Sequence, residues 1–184
     1  MSGLIGDNTA RASGVIASAG GGTILSAKSL AFKGVLSNSG SAPAQLNDFN
    51  MSFAPTTSDG KLYFQACLGS VGGSTTVETA FYFYDVTNTT IIGAYADSHG
   101  SRLRVSWKYT VNTEGDNGGV SFGCWHEPGT TSSIDYTIFG GANAGDTMYI
   151  NKNHYNYDNT NIDSAHTAST FTITEYAADA VTLT

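Results

Sequence analysis

The chain has 184 residues, enough for one domain with a short appended arm and a core that needs neither disulfides nor metals. Charged residues make up only 12% and aromatics reach 11%, with ten Tyr, nine Phe and 22 Gly, a composition of short strands and polar loops rather than helices. The net charge of −7 argues against nucleic acid and anionic membrane surfaces as partners, since both require a basic footprint.

Residues 1–24 are rich in Gly, Ala and Ser and hold no sustained period, so they read as an arm, with residues 25–184 as the folded domain. Leu4, Ile5, Val15 and Ile16 are apolar enough to dock on another protein, which makes this an expected attachment arm; the plainer reading is a tail. The arm lacks the basic start and unbroken apolar stretch of a signal peptide. No segment approaches the roughly 18 consecutive apolar residues of a membrane span. The expectation is a protein made in a cytoplasm.

Strand-like runs then recur between turn signals: residues 29–36, 61–68, 79–86, 91–96, 102–111, 120–126, 134–139, 147–150 and 169–176. Residues 79–86 (TAFYFYDV) are large on both faces and should be covered on both sides. The run 102–111 alternates most cleanly, with Trp107 and Tyr109 expected on a buried face and Arg102, Arg104 and Lys108 on the other. The turn formers at 114–119 (EGDNGG) predict a hairpin from that strand into 120–126. Short strands every 10 to 15 residues or so, with no helix between them, indicate a β-sandwich or jelly roll.

Few of these residues suggest chemistry. There is no H-E-x-x-H, C-x-x-C or G-K-[ST] loop, and no catalytic residue, cofactor or metal is expected; Gly119-Val120-Ser121-Phe122-Gly123 spells G-x-S-x-G but runs into the strand-like stretch 120–126, not the strand-to-helix turn of a nucleophile elbow. Cys124 and His126 share a strand face, but no third group orients them, so a packed thiol beside a half-exposed imidazole is the simpler reading. Cys67 and Cys124 fall on different faces and read as reduced thiols. Asp158 and Asp163 lack EF-hand spacing, and turn-stabilising roles outweigh calcium there. Arg102, Arg104 and Lys108 repel one another on one face, so a solvated surface, an intersubunit ion pair or an anionic ligand must accommodate them. In the stretch 151–163 (NKNHYNYDNTNID), Asn153, Tyr155, Tyr157 and Asp158 form a candidate glycan-binding loop, because rings stack on sugars and amides bond their hydroxyls. A self-satisfying Asn-rich loop has the same composition.

Near the C-terminus, Thr147-Met148-Tyr149-Ile150-Asn151-Lys152 precedes a loop with Asp158 and Asp163, then Ser164-Ala165-His166-Thr167 and the strand Ser169-Thr170-Phe171-Thr172-Ile173-Thr174-Glu175. A strand ending in Ile-Asn, an Asp-bearing loop and a last S-T-Φ-T-Φ-x-E strand (Φ apolar) resemble phage virion domains of the tail-fibre and head-fibre type. Those domains have a jelly roll like that of tumour necrosis factor and complement proteins. Ser2-Gly3-Leu4-Ile5-Gly6 and Arg11-Ala12-Ser13-Gly14 also resemble the start of short phage structural proteins. The resemblance implies a homotrimer on the surface of a virion, bound to capsid or tail proteins, and no catalytic residues. Aromatics on both faces of one strand, Tyr82 and Tyr84 against Phe81 and Phe83, point independently to a subunit interface closed by cyclic symmetry. The expected product is a jelly-roll trimer serving as a head decoration, head fibre or short tail fibre. The alternative is a module that recognises host glycans through its distal loops.

Overall fold

The computed structural model describes residues 23–40, 42–74, 76–94, 103–112, 117–143, 146–152 and 166–181. These residues form twelve strands: β1 (Ile24–Phe32), β2 (Leu36–Asn38), β3 (Ala44–Gln45), β4 (Met51–Phe53), β5 (Lys61–Gly73), β6 (Val77–Asp85), β7 (Thr90–Ile92), β8 (Trp107–Val111), β9 (Asn117–His126), β10 (Ile134–Ala142), β11 (Met148–Ile150) and β12 (Ser169–Tyr176). Two single-turn 3₁₀ segments, Asn47–Phe49 and Ala178–Ala180, are the only helical structure among the described residues. The protein is all-β.

Every strand pairing is antiparallel. In the first sheet β5 is central, with β9 on one side and β12 and β11 in line on the other; β1 and β2 lie beyond those. In the second, β10 and β6 are the inner pair, flanked by β3 and β4 next to β10 and by β7 and β8 next to β6. Numbering β1, β4, β5, β6, β8, β9, β10 and β12 from first to eighth, the first sheet runs first, eighth, third, sixth and the second runs second, seventh, fourth, fifth. That connectivity is a jelly-roll β-sandwich.

Period-two alternation builds the core. Leu62, Phe64, Ala66 and Leu68 of β5 face inward with Phe171 and Ile173 of β12 and Val120 and Phe122 of β9. Phe81 and Phe83 of β6 and Ile134, Tyr136 and Ile138 of β10 meet them from the second sheet. Phe64 touches four other rings, those of Phe83, His126, Tyr136 and Phe171. Each such side chain, fully buried, contributes about 1.5–3 kcal/mol. On β5 the alternation breaks at a bulge between Leu68 and Val71. There β5 leaves β12, whose pairing reaches Cys67, and takes up β11 from Val71. A bulge re-aims a strand in this way, and here it lets one long strand serve two partners.

Two expectations fail. The predicted strand 102–111 is a strand only over Trp107–Val111 among the described residues, and Trp107 is 42% exposed. The faces are as predicted: Trp107, Tyr109 and Val111 pair with inward Phe81, Thr79 and Val77, while Lys108 pairs with Ala80 on the outer side. But β8 is an edge strand, and only Val111 is fully covered. Nor does a hairpin join β8 to β9: β8 pairs with β6 and β9 with β5, in different sheets. Turn formers signal a reversal, but not the sheet that the next strand joins.

Candidate functional site

The two outer faces carry the aromatic surplus. On the first sheet, Tyr63 of β5 is directly opposite Trp125 of β9, with ring centroids 4.9 Å apart, and Tyr176 of β12 lies 5.2 Å beyond Trp125. The Tyr63 ring lies across Gly123, where a Cβ would come within 2.5 Å of its hydroxyl. All three rings are half-buried. Around them the face carries uncharged polar side chains: Gln65, Ser121, Ser29 and the row Thr170, Thr172 and Thr174. The one outward charge on its paired strands, Lys61, is neutralised by Glu127 at 2.7 Å.

The second sheet carries a second trio. Phe139 of β10 is opposite Tyr82 of β6 with stacked rings at 5.3 Å, and Tyr84 lies 4.4 Å from Phe139. Burial, reinforced by neighbouring Tyr84, raises the Tyr82 pKa. Charges share this face. Lys108 pairs with Glu78 of β6 at 2.7 Å, both side chains about half exposed. Its acidic neighbour thus comes from the same chain, and such a surface pair contributes about 0–1 kcal/mol. Arg104 is exposed; Arg102 lies outside the described residues.

Cys67 and Cys124 are both free, Cys67 exposed and Cys124 buried, on opposite faces of the first sheet. Burial pushes the Cys124 thiol up to about 12, the reverse of what a nucleophilic thiolate needs. The thiol packs on Gly93, where a Cβ would come within 2.5 Å of Sγ; φ there is +71°. His126, two residues on, is pulled down by burial, against the opposing effects of Asp85 and Glu127. Among the described residues no three metal-ligating side chains cluster.

Two buried polar residues stand out that residue-by-residue reasoning gave no role. Glu175 on β12 is fully buried, on the same face as Phe171 and Ile173. Its carboxylate accepts four hydrogen bonds: from Ser26 Oγ (2.7 Å) on β1, and from Thr56 N (2.8 Å), Thr56 Oγ1 (2.8 Å) and Thr57 N (3.1 Å) in the β4–β5 loop. Burial alone would raise its pKa, but these bonds to the charged form hold it below the ordinary value. Gly60 completes the enclosure, since a Cβ there would come within 2.7 Å of Oε1.

Asn151 follows β11 with φ +64°, a left-handed conformation that Asn tolerates better than most residues. Its side-chain amide donates to Phe32 O (3.0 Å) and Gly34 O (2.9 Å). Its Oδ1 accepts from Ser169 Oγ (2.6 Å) and Thr167 Oγ1 (3.3 Å), and its backbone N–H donates to Ser70 O (2.8 Å). One side chain therefore ties the end of β1 to the start of β12, beside the bulge in β5. The Ile-Asn and S-T-Φ-T-Φ-x-E signatures are accordingly structural: Ile150, Asn151, Ser169, Phe171, Ile173 and Glu175 are all fully buried. Their periodicity was the available signal, because Glu175 continues the inward row of β12.

The arm residues Leu4, Ile5, Val15 and Ile16 and the loop residues Asn153, Tyr155, Tyr157 and Asp158 lie outside the described residues. Compared with models of protein families and with curated proteins, the chain matches none.

Proposed function

We propose that this chain is a non-catalytic structural domain that assembles as a homotrimer on the outer surface of a phage-type virus particle, as a head decoration, head fibre or short tail fibre. The observation that carries the assembly is the outer face of the first sheet, where the Tyr63–Trp125–Tyr176 cluster lies among uncharged polar side chains and the charges beside it, Lys61 and Glu127, pair with each other. Aromatic enrichment with depletion of charge is the composition of an interface core. Cyclic closure buries such a patch without open-ended growth. The jelly roll and the C-terminal signature support the virion setting, and residues 1–24 supply the attachment to capsid or tail proteins. Host glycans enter as a second partner class through the 153–158 loop, and binding on a glycan array is the readout for it.

Sedimentation equilibrium at micromolar concentration is expected to report three times the 19.2 kDa chain mass. A monomer overturns the reading. Trp125→Asp, which plants a charge among the three rings, is expected to give folded monomers. A variant that folds and stays trimeric removes this face from the interface.

A further inference from the structure

Three buried side-chain atoms among the described residues lack a hydrogen-bond partner: Thr57 Oγ1, His126 Nε2 and Tyr136 OH. The last two meet at the end of the sandwich where β6 and β9 finish and β10 begins. The rings of His126 and Tyr136 are 6.0 Å apart and nearly perpendicular, and Phe64 lies edge-on to both. Tyr136 is directly opposite Asp85 of β6, itself buried. Both Asp85 oxygens are engaged by Asn88: Oδ1 accepts the backbone N–H (2.8 Å) and Oδ2 the side-chain amide (2.8 Å). This clamp shapes the β6–β7 turn, which holds Thr89 at φ +54°, a conformation that a β-branched residue keeps only under restraint.

We infer that Asp85, His126 and Tyr136 form an acid-operated release for the β6–β7 turn, in which a proton taken up by His126 draws Asp85 away from Asn88. A neutral imidazole has one N–H; the imidazolium has two and accepts from nothing. Protonation therefore creates a buried, charged Nε2–H donor that must find an acceptor. The groups around it leave one strong choice. β5 presents Leu62 and Phe64 inward and turns Lys61 outward to Glu127. β10 offers the Tyr136 hydroxyl, β9 the Cys124 thiol, and β7 no titratable group. Asp85 is the buried carboxylate at this end, and its charge acts on both rings; Glu127 also acts on His126 but is exposed and paired with Lys61, and Glu175, beyond Leu62 on β12, is held by its four hydrogen bonds. Recruiting it sets His126 against Asn88 for the same oxygens. Burial keeps His126 neutral at pH 7, so the release lies on the acid side of the ordinary histidine value. The proton comes from solvent. The device is independent of trimer formation.

The test pairs an NMR titration of the imidazoles of the full chain with amide hydrogen exchange at Asn88 from pH 8 to 4.5. His126 is expected to titrate below the ordinary histidine value, and Asn88 protection, corrected for intrinsic exchange, to fall at least tenfold with the same midpoint. His126→Gln is expected to abolish that fall. The inference is overturned if His126 titrates at or above the ordinary histidine value, if the two midpoints separate, or if His126→Gln keeps the acid response. Should that variant fail to fold, the two wild-type midpoints decide alone.

Discussion

Two of the places where the sandwich buries polar groups treat them in opposite ways. Around Glu175 and Asn151, the carboxylate and the side-chain amide find all their partners on distant strands and loops, with one orphan beside them, Thr57 Oγ1. At the Asp85–His126–Tyr136 end, two buried atoms have none, and the one carboxylate is already committed to Asn88. A satisfied polar group fixes which loops and strands come together, because every alternative strands its donors. An unsatisfied one leaves that part of the structure short of its potential stability, and so open to change.

Removing the Glu175 carboxylate should show this contrast most strongly. Glu175→Ala orphans four donors at about 1–3 kcal/mol apiece, partly recovered by water, and a loss of about 3–5 kcal/mol is expected in chemical denaturation. The pH dependence has a definite sign. The folded-state pKa lies below the unfolded one, so this stabilisation is full above the ordinary carboxylate value and is lost as pH falls through the folded value. An unchanged acid limb in Glu175→Ala would refute the assignment.

Asn151→Ala should follow, at about 2–4 kcal/mol, since it frees the carbonyls of Phe32 and Gly34 and the Ser169 hydroxyl while keeping a left-handed backbone that Ala disfavours. Asn151→Gly separates the two contributions: it relieves the backbone and keeps only the hydrogen-bond loss. Tyr136→Phe should do least. It removes a hydroxyl that has no partner, so a change within about 1 kcal/mol of zero, or a small gain, is expected in thermal unfolding. A loss approaching that of Asn151→Ala would place Tyr136 with the satisfied group and dissolve the comparison.

How much of this the sequence reveals depends on the range of the interaction. β12 was legible to the residue, because Ser169, Phe171, Ile173 and Glu175 alternate with a threonine row. The faces of β8 were legible for the same reason, but its edge position was not, so Trp107 looked buried. β3 and β4, of two and three residues, are too short to show a period and borrow their geometry from β10. The contacts of Glu175, and those of Asn151 to Phe32 and Gly34, join residues more than a hundred positions apart. Periodicity places these side chains inside but names no partner. Of the site residues singled out from the sequence, Arg104 and Lys108 lie on described segments, and Lys108 alone has found its partner, across the strand.

The pairing of β1 with β12 has a consequence for synthesis. Ile24 is opposite Tyr176, so the edge of the first sheet cannot close until the chain has been made through Tyr176. At typical rates of translation the early strands would wait roughly ten to thirty seconds for that partner. Throughout that interval β1 and β5 lack their native neighbour β12, and exposed apolar strands of this kind invite pairing between nascent chains. Production of the protein should therefore be limited by crowding of ribosomes on one message, and incomplete chains should aggregate more readily than finished ones.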